Sequence, residues 1–231
     1  FGSIKNLSSN SGGDSAVPQL RADGATNVYV VWSDDNGAGG RDIYLKRSTN
    51  NVADFSSSKI KISTSGKASQ PTISSQGSFV YIAWRDRSTG SGDIYFKRST
   101  NAGSSFSSSF INLSNNGGDS TLPLIRSTGI FVYIAWRDAS TGNGDIYFKR
   151  STDNGATMQS LLNISADSKV SGNTVGLTNE GPDMDVSGTN VYVTWANVID
   201  DTDPDLPHID ILVRKISSNG ATLNPIKNIS N

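Results

Sequence analysis

An eight-residue pattern of alternating β-branched and aromatic residues recurs four times along the chain. Two copies, Phe79–Asp86 and Phe131–Asp138, are identical, and looser copies occupy positions 27–34 and 190–197. The four tryptophans stand at the same place in the four copies, at intervals of 52, 52 and 59 residues. This residue content is typical of strands, and because both faces of the pattern are apolar, we expect the strand to be buried on both sides.

Each repeat predicts four short strands, which we label A to D from the inside outward. Strand A follows a proline, which suits a strand entry because proline has no N–H to donate. Strand B is the tryptophan pattern, strand C begins with Asp-Ile, and strand D ends in Ser. A repeat of about 50 residues cannot bury both faces alone, whereas four-stranded sheets stacked around an axis can. The sequence therefore predicts an all-β fold, a β-propeller; separate β-sandwich modules, the alternative, would need linkers that are missing.

The repeats divide the chain into four blades and one additional strand. Residues 1–8 match the end of a repeat, so we expect a spare outer strand there. Either residues 4–8 or residues 226–230 would take the outer place that closes the ring, or the natural array is longer. The predicted repeats of this single domain are approximately 9–63, 64–114, 115–165 and 166–231.

Composition narrows the classes of partner. The formal net charge of −1 implies no general attraction to nucleic acid or anionic lipid. No apolar run approaches the roughly 18 residues of a membrane span, so we expect no membrane insertion. The absence of cysteine excludes disulfides and thiolate metal sites, and leaves the redox compartment undecided.

A second motif recurs between strands C and D. Its best copy spans 151–158, and a second copy spans 99–106. The pattern Ser-x-Asp-x-Gly-x-Thr-aromatic resembles the Asp-box, or bacterial neuraminidase repeat, of sialidases and related propellers. Turn chemistry explains it without a ligand, since Asp or Asn accepts N–H bonds of its own turn and Gly supplies a positive φ. The structural Asp-box positions are Ser151, Asp153, Gly155 and Thr157, then Ser99, Asn101 and Gly103.

The resemblance implies a sialidase-like propeller fold, and in that family the box lies on the face away from the active site. Family sialidases use an arginine triad, a tyrosine nucleophile with a glutamate partner, and an aspartate acid/base. Arginines near strand ends are available at Arg21, Arg85, Arg126 and Arg137, and Glu180 is the only glutamate. The family's aromatic-Arg-Ile-Pro motif is not found, so we assign no catalytic residue.

Aspartates bracket the B–C loop in the first three repeats, as Asp86 and Asp93 do in the second. We expect them to accept loop N–H bonds or to pair with Arg85 and Arg137. Calcium binding is the alternative, since hard cations require several oxygen ligands. The matching pairs are Asp34 with Asp42 and Asp138 with Asp145.

The fourth repeat has two expanded loops. Positions 165 to 182 and 195 to 210 are farther apart than their counterparts, and in a propeller both loops open on one face. Long loops on a rigid scaffold are where function concentrates. Asp201, Asp203 and Asp205 have the spacing of a calcium loop's first ligands, although a solvated acidic loop explains them too. The predicted ligand-binding residues are Glu180, Asp200, Asp201, Asp203, Asp205 and His208.

These features favour a non-catalytic propeller at the cell surface or outside the cell, which binds a glycan or a surface protein or acts as a spacer in a larger array. The alternative is an enzyme, a divergent exo-sialidase or another glycoside hydrolase. No cofactor is required, with calcium as an optional ligand. Exposed strand edges would allow self-association.

Overall fold

Within its described residues, the computed structural model shows sixteen strands, β1 to β16 in sequence order, which form four antiparallel sheets of four strands each. The described residues are 4–10, 12–142, 144–166, 181–200 and 208–230, and the side chains of residues 198–200 and 208 are not described. Blade one contains β1 (Ser15–Asp23), β2 (Asn27–Asp35), β3 (Arg41–Ser48) and β4 (Ile60–Lys61). Blade two contains β5 (Ala68–Gln76), β6 (Phe79–Asp86), β7 (Asp93–Ser99) and β8 (Ile111–Asn112). Blade three contains β9 (Ser120–Thr128), β10 (Phe131–Asp138), β11 (Asp145–Ser151) and β12 (Leu162–Asn163). Blade four contains β13 (Asp183–Ser187), β14 (Asn190–Asp200), β15 (His208–Ser217) and β16 (Thr222–Asn228).

The first strand of each blade lies nearest the axis. β1 contacts β5, β5 contacts β9, and β9 contacts β13, so the four inner strands follow one another around a centre. Each sheet then runs outward as a meander of neighbouring strands. The predicted all-β propeller of four-stranded blades is confirmed. No helix among the described residues is long and apolar enough to cross a membrane.

The tryptophan strand is buried on both sides, as its pattern predicts. In β6, every residue after Phe79 is buried, and Trp84 is 1% exposed. Trp84 stands opposite Tyr95 on the neighbouring strand β7, and the two rings meet edge to face at 5.9 Å. Burial of these large rings supplies much of the apolar area that stabilises a blade.

Each blade has two different apolar faces. The trailing face, toward the following blade, carries a strand-B tyrosine and the strand-C isoleucine, which are Tyr81 and Ile94 in blade two. The leading face, toward the preceding blade, carries Ile82 and Trp84 in blade two. Ile62, which follows the outer strand of blade one, is buried against this leading face. Leu113 and Ile164 make the same contact on blades three and four.

A serine clamp closes the outer edge of every blade. In blade two, the Ser114 hydroxyl accepts the Ile94 N–H at 3.0 Å and donates to Asp93 at 2.9 Å. Because both partners are buried, the clamp satisfies groups that would be costly to leave unpaired. The other clamps join Ser63 to Asp42, Ser165 to Asp145, and Ser230 to Asp210.

The outer place of blade four is taken by the C-terminal strand. β16 pairs with β15, and Ser230 completes the clamp. Residues 4–8 belong to none of the four sheets and lie instead over blade one, where Leu7 lines a cavity together with Val30 and Trp32. Residues 4–8 therefore do not supply the outer strand of blade four.

Candidate functional site

An axial cavity opens where the four inner strands begin. Its volume is about 550 Å³, and all four blades contribute to its wall. Because the innermost strands converge here, side chains that are distant in sequence surround one space. The axial cavity is defined by the residues that line it, which are Val17, Gln19, Gln70, Pro71, Thr72, Leu122, Pro123, Leu124, Gly181, Pro182 and Asp183.

The wall of the axial cavity has an unusual backbone. Val17, Gln70 and Leu122 have φ of 52°, 50° and 53°, each directly before the proline of strand A. Positive φ is unfavourable for these residue types, so the same strain recurs in three blades. Each lies in a β-bulge, and the Gln70 side chain accepts the Leu122 N–H at 3.0 Å, which joins two blades at the rim.

The charged residue in the wall of the axial cavity is Asp183 of blade four, and Arg126 of blade three lies beside it, outside the lining residues. Asp183 is 80% exposed in its side chain, and its Oδ1 lies 3.9 Å from Nη2 of Arg126. Asp185 is exposed on the same face of β13, two residues and therefore about 7 Å along the strand. Gln19 and Thr72 add amide and hydroxyl groups. The wall offers a carboxylate and neutral hydrogen-bonding groups to a polar ligand, with the Arg126 guanidinium beside the carboxylate.

The aspartates that bracket the B–C loops are engaged inside the blades. The Asp138 carboxylate accepts bonds from the Ser140 N–H at 2.9 Å, the Ser120 hydroxyl at 2.7 Å and the Asn116 amide at 2.9 Å. Burial alone would raise the pKa of Asp138, but these hydrogen bonds lower it below its usual value. Asp86 likewise accepts the Ser88 N–H at 2.9 Å. The expectation that these residues accept loop N–H bonds is confirmed for Asp86 and Asp138.

The expected pairing of these aspartates with arginine is wrong for Arg85. The Arg85 guanidinium instead donates to Asp119 of the following blade at 2.6 Å. Serine, asparagine and threonine side chains donate to the bracketing carboxylates, and lysine pairs with two of them in blade one, Lys59 with Asp34 and Lys61 with Asp42. Among the described residues, no group of three or more His, Asp or Glu side chains could hold a metal ion.

The Asp-box positions form tight turns far from the axial cavity. The Asp153 carboxylate accepts the Thr157 N–H at 3.0 Å and the Ser151 hydroxyl at 2.7 Å. The Thr157 hydroxyl donates to the same carboxylate at 2.6 Å, and these bonds hold the pKa of Asp153 at about 2. Asn154 N–H reaches the carbonyl of Ile130 in the A–B turn, whereas the cavity lies where strand A begins.

The glycine of each turn packs on the preceding blade. Gly155 has φ of +73°, and a side chain there would approach Phe96 and Tyr81 within 3.0 to 3.1 Å. Ser99, Asn101 and Gly103 repeat the turn: Ser99 donates to Asn101, and Gly103 N–H donates to Ser99. These contacts have a structural role that requires no ligand.

The predicted loop site of blade four falls mostly outside the described residues. Glu180, Asp201, Asp203 and Asp205 all lie there. The backbones of Asp200 and His208 are described, and they pair with each other at the tip of the β14–β15 hairpin. Gln19, Thr72 and Asp183 were not predicted as site residues. The sequence carries a signal for them, because each directly follows the proline of its strand A. The expected strand entry at this proline is found only in blade four, since β1, β5 and β9 begin before it.

No protein-family model matches the chain, and no curated protein matches it in sequence. Solved structures of other proteins are similar to it in fold. The α-L-arabinanase of Penicillium chrysogenum, complexed with arabinobiose, is 12% identical with a TM-score of 0.60, over 93% of this chain and 66% of that one. An α-L-arabinofuranosidase of Fusarium graminearum, in complex with an iminosugar inhibitor, is 12% identical with a TM-score of 0.58, over 88% of this chain and 63% of that one.

A subtype N10 neuraminidase-like protein of A/little yellow-shouldered bat/Guatemala is also similar. It is 13% identical with a TM-score of 0.57, over 94% of this chain and 59% of that one. At these identities the likeness shows the fold alone. This chain spans slightly less than two thirds of the lengths of the arabinanase and the arabinofuranosidase. The fold neighbours are thus glycoside hydrolases and a neuraminidase-like protein, and the Asp-box resemblance rests on the sequence motif.

Proposed function

We propose that the protein acts on a glycan bound in the axial cavity, as a glycoside hydrolase of the propeller type. The observation that carries this proposal is the cavity itself, in which an exposed carboxylate, Asp183, faces a space walled by all four blades. A cavity of about 550 Å³ lies within the usual range for small-ligand sites. The arabinanase and arabinofuranosidase neighbours support a sugar as the ligand, and arabino-oligosaccharides are the first probes to use.

Asp183 and Asp185 are the residues that we propose for catalysis. Glycoside hydrolysis requires two carboxyl groups across the scissile bond, one to protonate the leaving oxygen and one to activate water or attack the sugar. Asp185 is the next residue on the exposed face of β13, with its Cα atom about 7 Å from that of Asp183, and it lies just outside the residues that line the axial cavity. Arg126, beside Asp183, balances its charge and can donate hydrogen bonds to sugar hydroxyls.

The proposal is tested with a panel of arabino-oligosaccharides, chromogenic glycosides and a fluorogenic sialoside, with product detection by chromatography. The variants Asp183→Asn and Asp185→Asn should each lower kcat by about 100-fold or more. Asp54→Asn is the matched control, because Asp54 is 84% exposed in the C–D turn of blade one, at the opposite end of the blade. No turnover on any substrate would reject the enzymatic role.

A non-catalytic glycan-binding propeller is the second candidate. It is favoured by one observation: in the described wall of the axial cavity, Asp183 is the single carboxylate. This candidate predicts that an oligosaccharide binds and is recovered intact, and that Asp183→Asn weakens binding. We place either activity outside the cell or at its surface, where plant and microbial polysaccharides are met.

A further inference from the structure

Three apolar positions of blade four are uncovered although their counterparts are buried in every other blade. Tyr192, Ile211 and Ile229 are 39%, 40% and 58% exposed. All three belong to the trailing face, which in blades one to three is covered by the following blade. Their counterparts are 0% or 1% exposed: Tyr29, Tyr81 and Tyr133; Ile43, Ile94 and Ile146; Ile62, Leu113 and Ile164.

Blade one shows the complementary defect on its leading face. Leu20 is 65% exposed, whereas Ile73, Ile125 and Met184 at the same position are at most 6% exposed. Contiguous exposed apolar positions of this kind mark an interaction surface. Blade four and blade one therefore each expose one half of an interface of the same type as the three interfaces between neighbouring blades.

Residues 4–8 already lie where the outer strand of a preceding blade would lie. Leu7 lines one cavity with Trp32 of blade one, and it corresponds in the repeat to Ile62, which packs in one buried cluster with Trp84 of blade two. The segment that follows makes matching contacts as well. Asn10 and Ser15 donate to Asp34 at 3.1 and 2.7 Å, as Asn116 and Ser120 donate to Asp138.

Ser8 indicates which residue type would complete the hydrogen bonding at this edge. Its four counterparts each donate to the aspartate that begins strand C of their own blade. The Ser8 hydroxyl donates to Asn6 at 3.3 Å, as Ser165 and Ser230 also do to their own asparagines, but among the described residues it makes no hydrogen bond to an aspartate. The position therefore calls for an aspartate at the start of a third strand.

We propose that the sector between blade four and blade one is the docking site for one further blade of the same repeat type, and that residues 4–8 are its outer strand. Its leading face covers Tyr192, Ile211 and Ile229, and its trailing face covers Leu20.

The proposal is tested by fusing one further blade to the chain. A second copy of residues 116–161, which contain strands A to C of blade three, is fused after Asn231, and the intact chain is the reference. The fusion should be monomeric by light scattering, should melt about 5 to 10 °C higher, and should bind less of the dye ANS. Ser8→Ala separates the strand assignment from unspecific packing. It should change the melting temperature of the unfused chain little and should remove part of the gain in the fusion.

Two outcomes overturn the proposal. In the first, the fused repeat is cleaved readily by protease and leaves the melting temperature unchanged. In the second, the unfused chain is a dimer in which hydrogen exchange of β14 and β15 is concentration-dependent, which would make a second copy the occupant. Equal effects of Ser8→Ala in both backgrounds would overturn the assignment of residues 4–8.

Discussion

Replacement of one isoleucine at a single repeat position tests the stacked-blade architecture. Ile146 and Ile211 follow the same aspartate in blades three and four, yet Ile146 is fully buried and Ile211 is 40% exposed. Ile→Ala removes three carbons, worth about 2.4 kcal/mol of transfer free energy when all are buried. A closed site adds a cavity cost, so Ile146→Ala should lower the free energy of unfolding by about 3 to 4 kcal/mol. At Ile211, about three fifths of the transfer loss remains and no closed cavity forms, which gives about 1.5 kcal/mol.

Urea unfolding followed by tryptophan fluorescence measures the difference, with thermal scans as a second readout. For a chain of this length, about 1 kcal/mol corresponds to about 2 to 4 °C. Ile146→Ala should therefore melt about 10 °C below the parent, and Ile211→Ala about 4 °C below it. Ile94→Ala, at the same position of blade two, should behave like Ile146→Ala. Equal losses at Ile146 and Ile211 would show that blade four is covered as the others are, and the reasoning would fail.

Further predictions concern the tryptophans of the blade core, the Asp-box turn and calcium binding by the blade-four loop. Trp84→Ala and Trp136→Ala should each cost about 3 to 5 kcal/mol, and melting temperatures equal to the parent's would contradict their burial. Hydrogen bonds from Thr157 and Ser151 lower the pKa of Asp153 in the folded protein to about 2 from its ordinary value of 3.8, so its contribution to stability is present above pH 4 and is lost as the pH falls toward 2. Parent and Asp153→Asn should therefore differ in stability at pH 6 and converge near pH 2; a constant difference would contradict this. If calcium binds the blade-four loop, it should raise the free energy of unfolding by about 2.7 kcal/mol at a hundredfold excess over Kd. The double variant Asp201→Asn with Asp203→Asn should abolish that gain. A melting temperature that changes with neither calcium nor chelator would contradict calcium binding.

The blade architecture could be predicted because each repeat must rebuild the same buried unit. The Trp84 pattern, with its apolar faces, specifies a strand covered on both sides, and its repetition specifies the stack. Repetition also explains why the bracketing aspartates are structural. Their partners were harder to predict: Asp138 meets Ser120 and Asn116 only after the D–A loop returns to the strand-B end, and no spacing rule reveals that contact.

The candidate site could not be predicted in the same way. Gln19, Thr72 and Asp183 come from different blades and share no residue type, so they meet only once the axis forms. From the sequence, the predicted site was the pair of long loops in blade four, because they are the main exceptions to the repeat. The cavity is instead built from a regular position, the residue after each strand-A proline, with a different side chain in each blade.

The location of the glycan site is the central claim, and a cavity-filling variant tests it most directly. Leu124→Trp places a large ring in the axial cavity from blade three, while Ile130→Trp places the same ring on an exposed A–B turn at the opposite end. Isothermal titration with an arabino-oligosaccharide from the panel is run on the parent and both variants. The account predicts that binding is lost in Leu124→Trp and retained in Ile130→Trp, with both variants folded. Undiminished binding by a folded Leu124→Trp would place the glycan elsewhere and contradict the account.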